Sequence, residues 1–210
     1  EAIELIIRAI EKTSYKPYKD AFIALDVAAS EIYHNNKYHL QSDKRKLTSD
    51  EMIEYYETLI NNYPIISIED GLDENDWNGW KELNRSIGTK CQIVADDLTV
   101  TNKLFLEKAL KHDAINSILI KLNQIGTVTE TIETINLAKD NDISTMISHR
   151  SGETEDTTIS DLAVGLNAGQ IKAGSLCRTD RVSKYNQLLR IEDYLNDNAL
   201  YEPLSLSKYF

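Results

Sequence analysis

Six short apolar runs, each closed by an ionisable residue, constrain this chain more than any other feature. The runs are Phe22–Leu25, Ile65–Ile68, Gln92–Ala95, Ser117–Ile120, Ser144–Ser148 and Gln170-Ile171. In order, they end at Asp26, Glu69, Asp96, Lys121, His149 and Lys172. Short, mostly β-branched or apolar segments of this kind are the pattern of strands buried on both faces. Helical patterns fill the intervals. Ile53, Tyr56, Leu59 and Ile60 recur at three- and four-residue steps, as do Ile132, Ile135 and Leu137 less strictly. Thr48 with Glu51 and Thr127 with Glu130 fit the capping box, in which residues three apart satisfy each other's orphan amides. Ile3, Ile6, Ile7 and Ile10 predict a helix before the first strand, and a last helix is predicted from about Val182 to Leu195. Between Glu31 and Leu47, the pair Asn35-Asn36 predicts a small hairpin.

Strand and helix alternating six times implies an α/β fold of parallel strands joined by right-handed crossovers. An open doubly wound sheet and part of an eight-stranded barrel both satisfy that pattern. A complete barrel takes about 250 residues, whereas 210 are present with six visible units. The chain also opens within a helical pattern with no cap before Glu1. The expectation is one domain, residues 1–210, lying inside a longer protein.

Charge and cysteine usage narrow the setting. A net charge of −11 disfavours non-specific nucleic-acid binding, which depends on clustered Lys and Arg. The one basic run, Lys44-Arg45-Lys46, reads as a solvated loop. No apolar stretch is long enough to cross a bilayer, and no basic, then apolar leader opens the chain. Cys91 and Cys177 offer neither a disulfide framework nor metal-ligand spacing, so the expected compartment is reducing and cytoplasmic.

Taken singly, each strand-end residue has a plain explanation: a helix cap, a solvated stem, a hydrogen-bonded core histidine. Six in register are harder to explain that way. In a closed barrel such ends converge at one mouth, where barrel enzymes carry out their chemistry. Asp26, Glu69 and Asp96 form an all-oxygen set suited to a hard cation such as Mg²⁺. Two of them have acidic neighbours, Asp70 and Asp97, and strand alternation lets only one of each pair point directly into the mouth. Lys121, Lys172 and the run Ser148 through Thr154 supply the opposite charge. Within that run, Arg150-Ser151-Gly152 at a helix start makes an anion clamp. A lysine near a divalent cation and a second lysine loses preference for its ammonium form and approaches a usable base.

At these residues the chain resembles the enolase family. Ala24 through Glu31, Ser67 through Leu72 and Val94 through Asn102 look like its three metal-bearing segments. Lys121 through Thr127 looks like its catalytic-lysine segment. Ser148 through Asp156 looks like its phosphate loop, and Gly169 through Gly174 like its second-lysine segment. Arg181 through Arg190 is similar to its final helix.

The resemblance implies six βα units of an enolase-type (β/α)8 barrel. It further implies Mg²⁺ on Asp26, Glu69 and Asp96, with Glu69 and Asp96 also near substrate. Lys121 would be the general base and Lys172 a stabiliser of developing negative charge. His149 would stand beside the substrate, and Arg150 with Ser151 would grip its phosphate. The implied activity is the glycolytic hydro-lyase reaction of 2-phosphoglycerate, in a homodimer or an assembly of dimers. The family's amino-terminal domain, first barrel strands, mobile serine loop and glutamate general acid would precede the matched segments and are not found here. The alternative expectation is therefore a non-catalytic binding or scaffolding fragment.

Overall fold

A computed structural model describes residues 1–201, 204–207 and 209, the side chains of 204 and 205 excepted. Its elements run α1 (Ala2–Glu11), β1 (Ile23–Asp26), β2 (Tyr33–His34), β3 (Lys37–Leu40), β4 (Arg45–Leu47), α2 (Ser49–Asn62), β5 (Ile65–Glu69), α3 (Trp77–Ile87), β6 (Gln92–Ala95) and α4 (Lys103–His112). They continue with β7 (Ser117–Ile120), α5 (Leu122–Ile125), α6 (Val128–Asp140), β8 (Ser144–Ser148), α7 (Thr158–Gly165), β9 (Ile171–Lys172) and α8 (Thr179–Leu195). The six predicted runs are the strands β1, β5, β6, β7, β8 and β9, and a helix follows each of them before the next. The chain divides into two compact units, one of residues 1–98, 107–116 and 206–210, the other of residues 99–106 and 117–205.

In the first unit β1 pairs parallel with β5, and β5 with β6. Ile65, Ile68, Ile93 and Val94 are buried, and Trp80, Leu83 and Ile87 of α3 join them with Met52, Ile53 and Tyr56 of α2. Each such side chain contributes about 1.5–3 kcal/mol by leaving water, so these strands are held by the helices that follow them. All four residues of β6 are buried, whereas β1 leaves Ala24 and Asp26 exposed. The α2 capping box forms as expected: Glu51 N–H donates to Thr48 Oγ1 (3.3 Å), and Thr48 N–H donates to Glu51 Oε2 (2.8 Å). The predicted hairpin has a third strand, β2, β3 and β4 pairing antiparallel in sequence. Asn35 and Asn36 turn the first corner in the left-handed region, as a two-residue hairpin turn requires. Lys44, also left-handed, lies in the second corner.

In the second unit β7 pairs parallel with β8, and β8 with β9. Ile118, Leu119, Ile120 and Ile147 meet Ile135 and Ala138 of α6 in its core. The α6 cap is simpler than expected. Thr127 Oγ1 accepts from Glu130 N–H (3.2 Å), but Glu130 takes the threonine hydroxyl proton (2.6 Å), so the reciprocal bond is to a side chain. Helix α8 starts at Thr179, almost a turn before the predicted boundary, and this brings Arg181 into the helix.

Candidate active site at the strand ends

Every strand-end residue singled out in the sequence stands at the carboxyl end of its strand. Asp26 closes β1, Glu69 closes β5 and Lys172 closes β9, while Asp96, Lys121 and His149 immediately follow β6, β7 and β8.

The acidic residues belong to the first unit. Asp26 and Glu69 are register partners on adjacent strands, and Glu69 pairs in turn with Val94, two residues before Asp96. Glu69 and Asp96 are 5% and 7% exposed, whereas Asp26 is exposed. Among the described residues, however, the trio whose carboxylate oxygens come within 4.8 Å is Asp70, Asp96 and Asp97. Asp70 adopts a left-handed conformation (φ 45°), which takes it out of strand alternation. Its side chain then crosses to the next strand end, where Oδ1 accepts from Asp96 N–H (2.9 Å) and Oδ2 from Asp97 N–H (3.1 Å). At 4% exposure, Asp70 is pushed up to about 8 by burial and by the carboxylates of Asp96 and Asp97, against the lowering effect of the two backbone donors. This all-oxygen set, which shares Asp96 with the expected trio Asp26, Glu69 and Asp96, is of a kind that suits a hard divalent cation.

The basic residues belong to the second unit. Lys121 is held through its backbone: its N–H donates to Thr101 Oγ1 (2.9 Å), and that hydroxyl donates to Gln124 Oε1 (2.8 Å). Thr101 itself sits in the left-handed region (φ 57°) and accepts at its carbonyl from Thr134 Oγ1 (3.1 Å). The strand pairing continues past β8, where His149 N–H donates to the Lys172 carbonyl (2.9 Å). Arg150 Nη1 donates to Asn123 Oδ1 (2.9 Å), and Arg150 N–H donates to Glu153 Oε2 (3.2 Å), while Ser151 is exposed.

Beneath this loop lies helix α8, whose role the sequence reading missed. Arg181 and Lys184 are 7% and 1% exposed. Arg181 Nη1 donates to the Arg150 carbonyl (2.8 Å) and to His149 Nδ1, and Nη2 donates to the Ser151 carbonyl (3.0 Å). Lys184 Nζ donates to the carbonyls of Thr154 (2.5 Å) and Asp180 (2.6 Å) and lies 3.7 Å from Glu153 Oε1. Gly174, at φ +90°, makes room for the arrangement, since a Cβ there would stand 2.8 Å from Arg181 Cδ and 3.2 Å from His149 Cε1. A signal was available. Arg181, Lys184, Tyr185 and Leu188 share one helical stripe, so two cations occupy the face that packs.

Burial holds His149 below its ordinary value, and the charges of Arg181 and Lys172 reinforce this; Glu153 opposes, and Lys121 adds a smaller lowering effect. Chemically, one unit offers oxygen ligands for a cation and the other offers lysine, histidine and arginine donors for an anion.

Six βα units that each end in an ionisable residue define the α/β barrel class of enzymes, whose chemistry sits at the carboxyl ends of the strands. Residues 1–209 match the family described as "Enolase, C-terminal TIM barrel domain". The chain belongs to the enolase family through that domain, and its six βα units are those of a TIM-type barrel.

Proposed function

We propose that the intact protein interconverts 2-phosphoglycerate and phosphoenolpyruvate as a Mg²⁺-dependent hydro-lyase. The observation that carries this reading is the ordered series of strand-end residues within a chain that matches the family over residues 1–209. A lysine base working with Mg²⁺ is the established logic of the enolase superfamily, and the roles below extend it to this chain.

Asp26, Glu69 and Asp96 would hold the cation, which would supply positive charge against the substrate carboxylate as negative charge develops there. Lys121 accepts the proton from Cα of 2-phosphoglycerate. Lys172 stands as a second positive group toward the charge that this leaves on the carboxylate. Arg150 and Ser151 bind the phosphate, the guanidinium as a fixed fork and the hydroxyl as a further donor. The β-hydroxyl then departs as water, and the proton it takes must come from an acid other than the residues assigned here. The His149 ring contributes a neutral N–H beside the reacting carbons. A cytoplasmic, homodimeric enzyme of glycolysis is the setting in which we place this activity; no helix among the described residues is long and apolar enough to cross a membrane.

The test is phosphoenolpyruvate formation by the intact protein, followed by its absorbance, with Mg²⁺ and then with chelator. Turnover that disappears on chelation and returns with Mg²⁺ is expected. Absence of turnover in the metal-loaded intact protein would replace the reading by the scaffolding alternative.

A further inference from the structure

We infer that Arg181 is a positioning residue that fixes His149 as its Nε2–H tautomer and couples that choice to the shape of the anion loop. A guanidinium carries five N–H donors and no acceptor. The ring nitrogen facing Arg181 Nη1 is Nδ1. Nδ1 must therefore be the acceptor, so the ring proton resides on Nε2. The same guanidinium donates to the carbonyls of Arg150 and Ser151, the next two residues of the loop. One planar side chain thus sets the proton on His149 and the backbone orientation of the two residues assigned to the phosphate.

The groups around the ring agree with that assignment. Arg181 comes from α8, Lys172 from β9 and Lys121 from the end of β7, all cationic, with Glu153 of the loop as the counter-charge. Asp180 Oδ2 lies 3.2 Å from Arg181 Nε and holds the guanidinium from its far edge. Around the ring, Gly174 leaves room for Arg181 to reach Nδ1. Lys184 provides a control from within the same helix. It grips the loop one turn along, at Thr154, through a bond that does not involve the imidazole.

The kinetic part of this inference rests on the proposed reaction, whereas the tautomer does not, and the experiment separates the two. Histidine-¹⁵N-labelled intact protein is titrated by NMR, reading the protonation of each nitrogen of His149, in wild type and in the variants R181M, R181K and K184M. Wild type is expected to show a bare Nδ1 and a protonated Nε2 at neutral pH. In R181M the two tautomers mix and the His149 pKa rises by about one unit, the equivalent of a tenfold change in protonation. R181K restores part of the preference, because an ammonium can donate to Nδ1 but cannot span the two carbonyls. K184M loosens the loop and leaves the tautomer unchanged. A protonated Nδ1 in wild type would overturn the inference without reference to any variant. So would a His149 that titrates identically in wild type and folded R181M, or an equal tautomer change in K184M. In kinetics, R181M should lower kcat/KM about tenfold and shift the acidic limb of the pH profile upward, whereas K184M should raise KM without moving that limb. The expected tautomer in a protein that forms no phosphoenolpyruvate would support the inference and remove the proposed reaction.

Discussion

The acidic and basic strand ends are built on opposite principles. In the first unit, Asp70 accepts from the backbone N–H groups of Asp96 and Asp97, and burial, with the carboxylates beside it adding to the effect, pushes its affinity for a proton up. In the second, buried cations of α8 donate to the carbonyls of Arg150, Ser151 and Thr154 in the loop proposed to take the anion. Asp70 is thus a buried acid beside other carboxylates, a position whose charge an incoming cation would relieve. The basic loop is organised before any anion arrives, so little ordering entropy is spent on binding. Removing charge should therefore have opposite consequences in the two places.

The largest effect is expected at the acids. Asp96→Ala should weaken Mg²⁺ binding more than about 100-fold by calorimetry, beyond the usual loss for a residue that merely supports a ligand. Unchanged affinity would remove Asp96 from the cation set. The second effect concerns stability at the basic end. Lys184→Met removes the buried ammonium that donates to the carbonyls of Thr154 and Asp180. At about 1–3 kcal/mol for the lost charged donor, Tm should fall by about 2–12 °C in a scan. A smaller change of opposite sign is expected at the acidic end. Asp97→Asn removes a charge that repels Asp70, so the cation-free protein should gain about 1–2 °C while binding Mg²⁺ less tightly. A loss of stability there would break the contrast.

The smallest effect concerns pH. The His149 pKa lies below its ordinary value of 6.5, which the unfolded chain retains. Between the two values the unfolded chain binds more protons, so stability rises with pH through that window. It is fully present above 6.5 and is lost as pH falls through the folded value. Urea midpoints measured down the acid side should show a slope that His149→Gln reduces; an unaltered slope would assign it elsewhere.

Much of the fold was legible because burial on both faces leaves a local mark: six apolar runs became six strands. Asn35-Asn36 marked a turn because asparagine tolerates left-handed backbone, whereas Lys44 at the next corner carries no such signature, and the third strand went unread. The strand-end residues were legible for the same local reason. Their partners were not. Asp70 leaves the alternation through a single left-handed residue, which no periodicity announces. Arg181 meets His149 across 32 positions of sequence, and only packing brings such groups together.

The central claim is that these strand ends perform proton abstraction at Cα of a phosphorylated three-carbon acid. Its most direct test is exchange of the 2-phosphoglycerate α-proton with deuterated solvent, catalysed by the intact protein with Mg²⁺, in wild type and in Lys121→Ala. The account predicts rapid exchange in wild type and a loss of at least about 10²–10⁴-fold in the variant, the usual contribution of a positioned base. Exchange that persists undiminished in Lys121→Ala, or that never occurs in the Mg²⁺-loaded wild type, would contradict it.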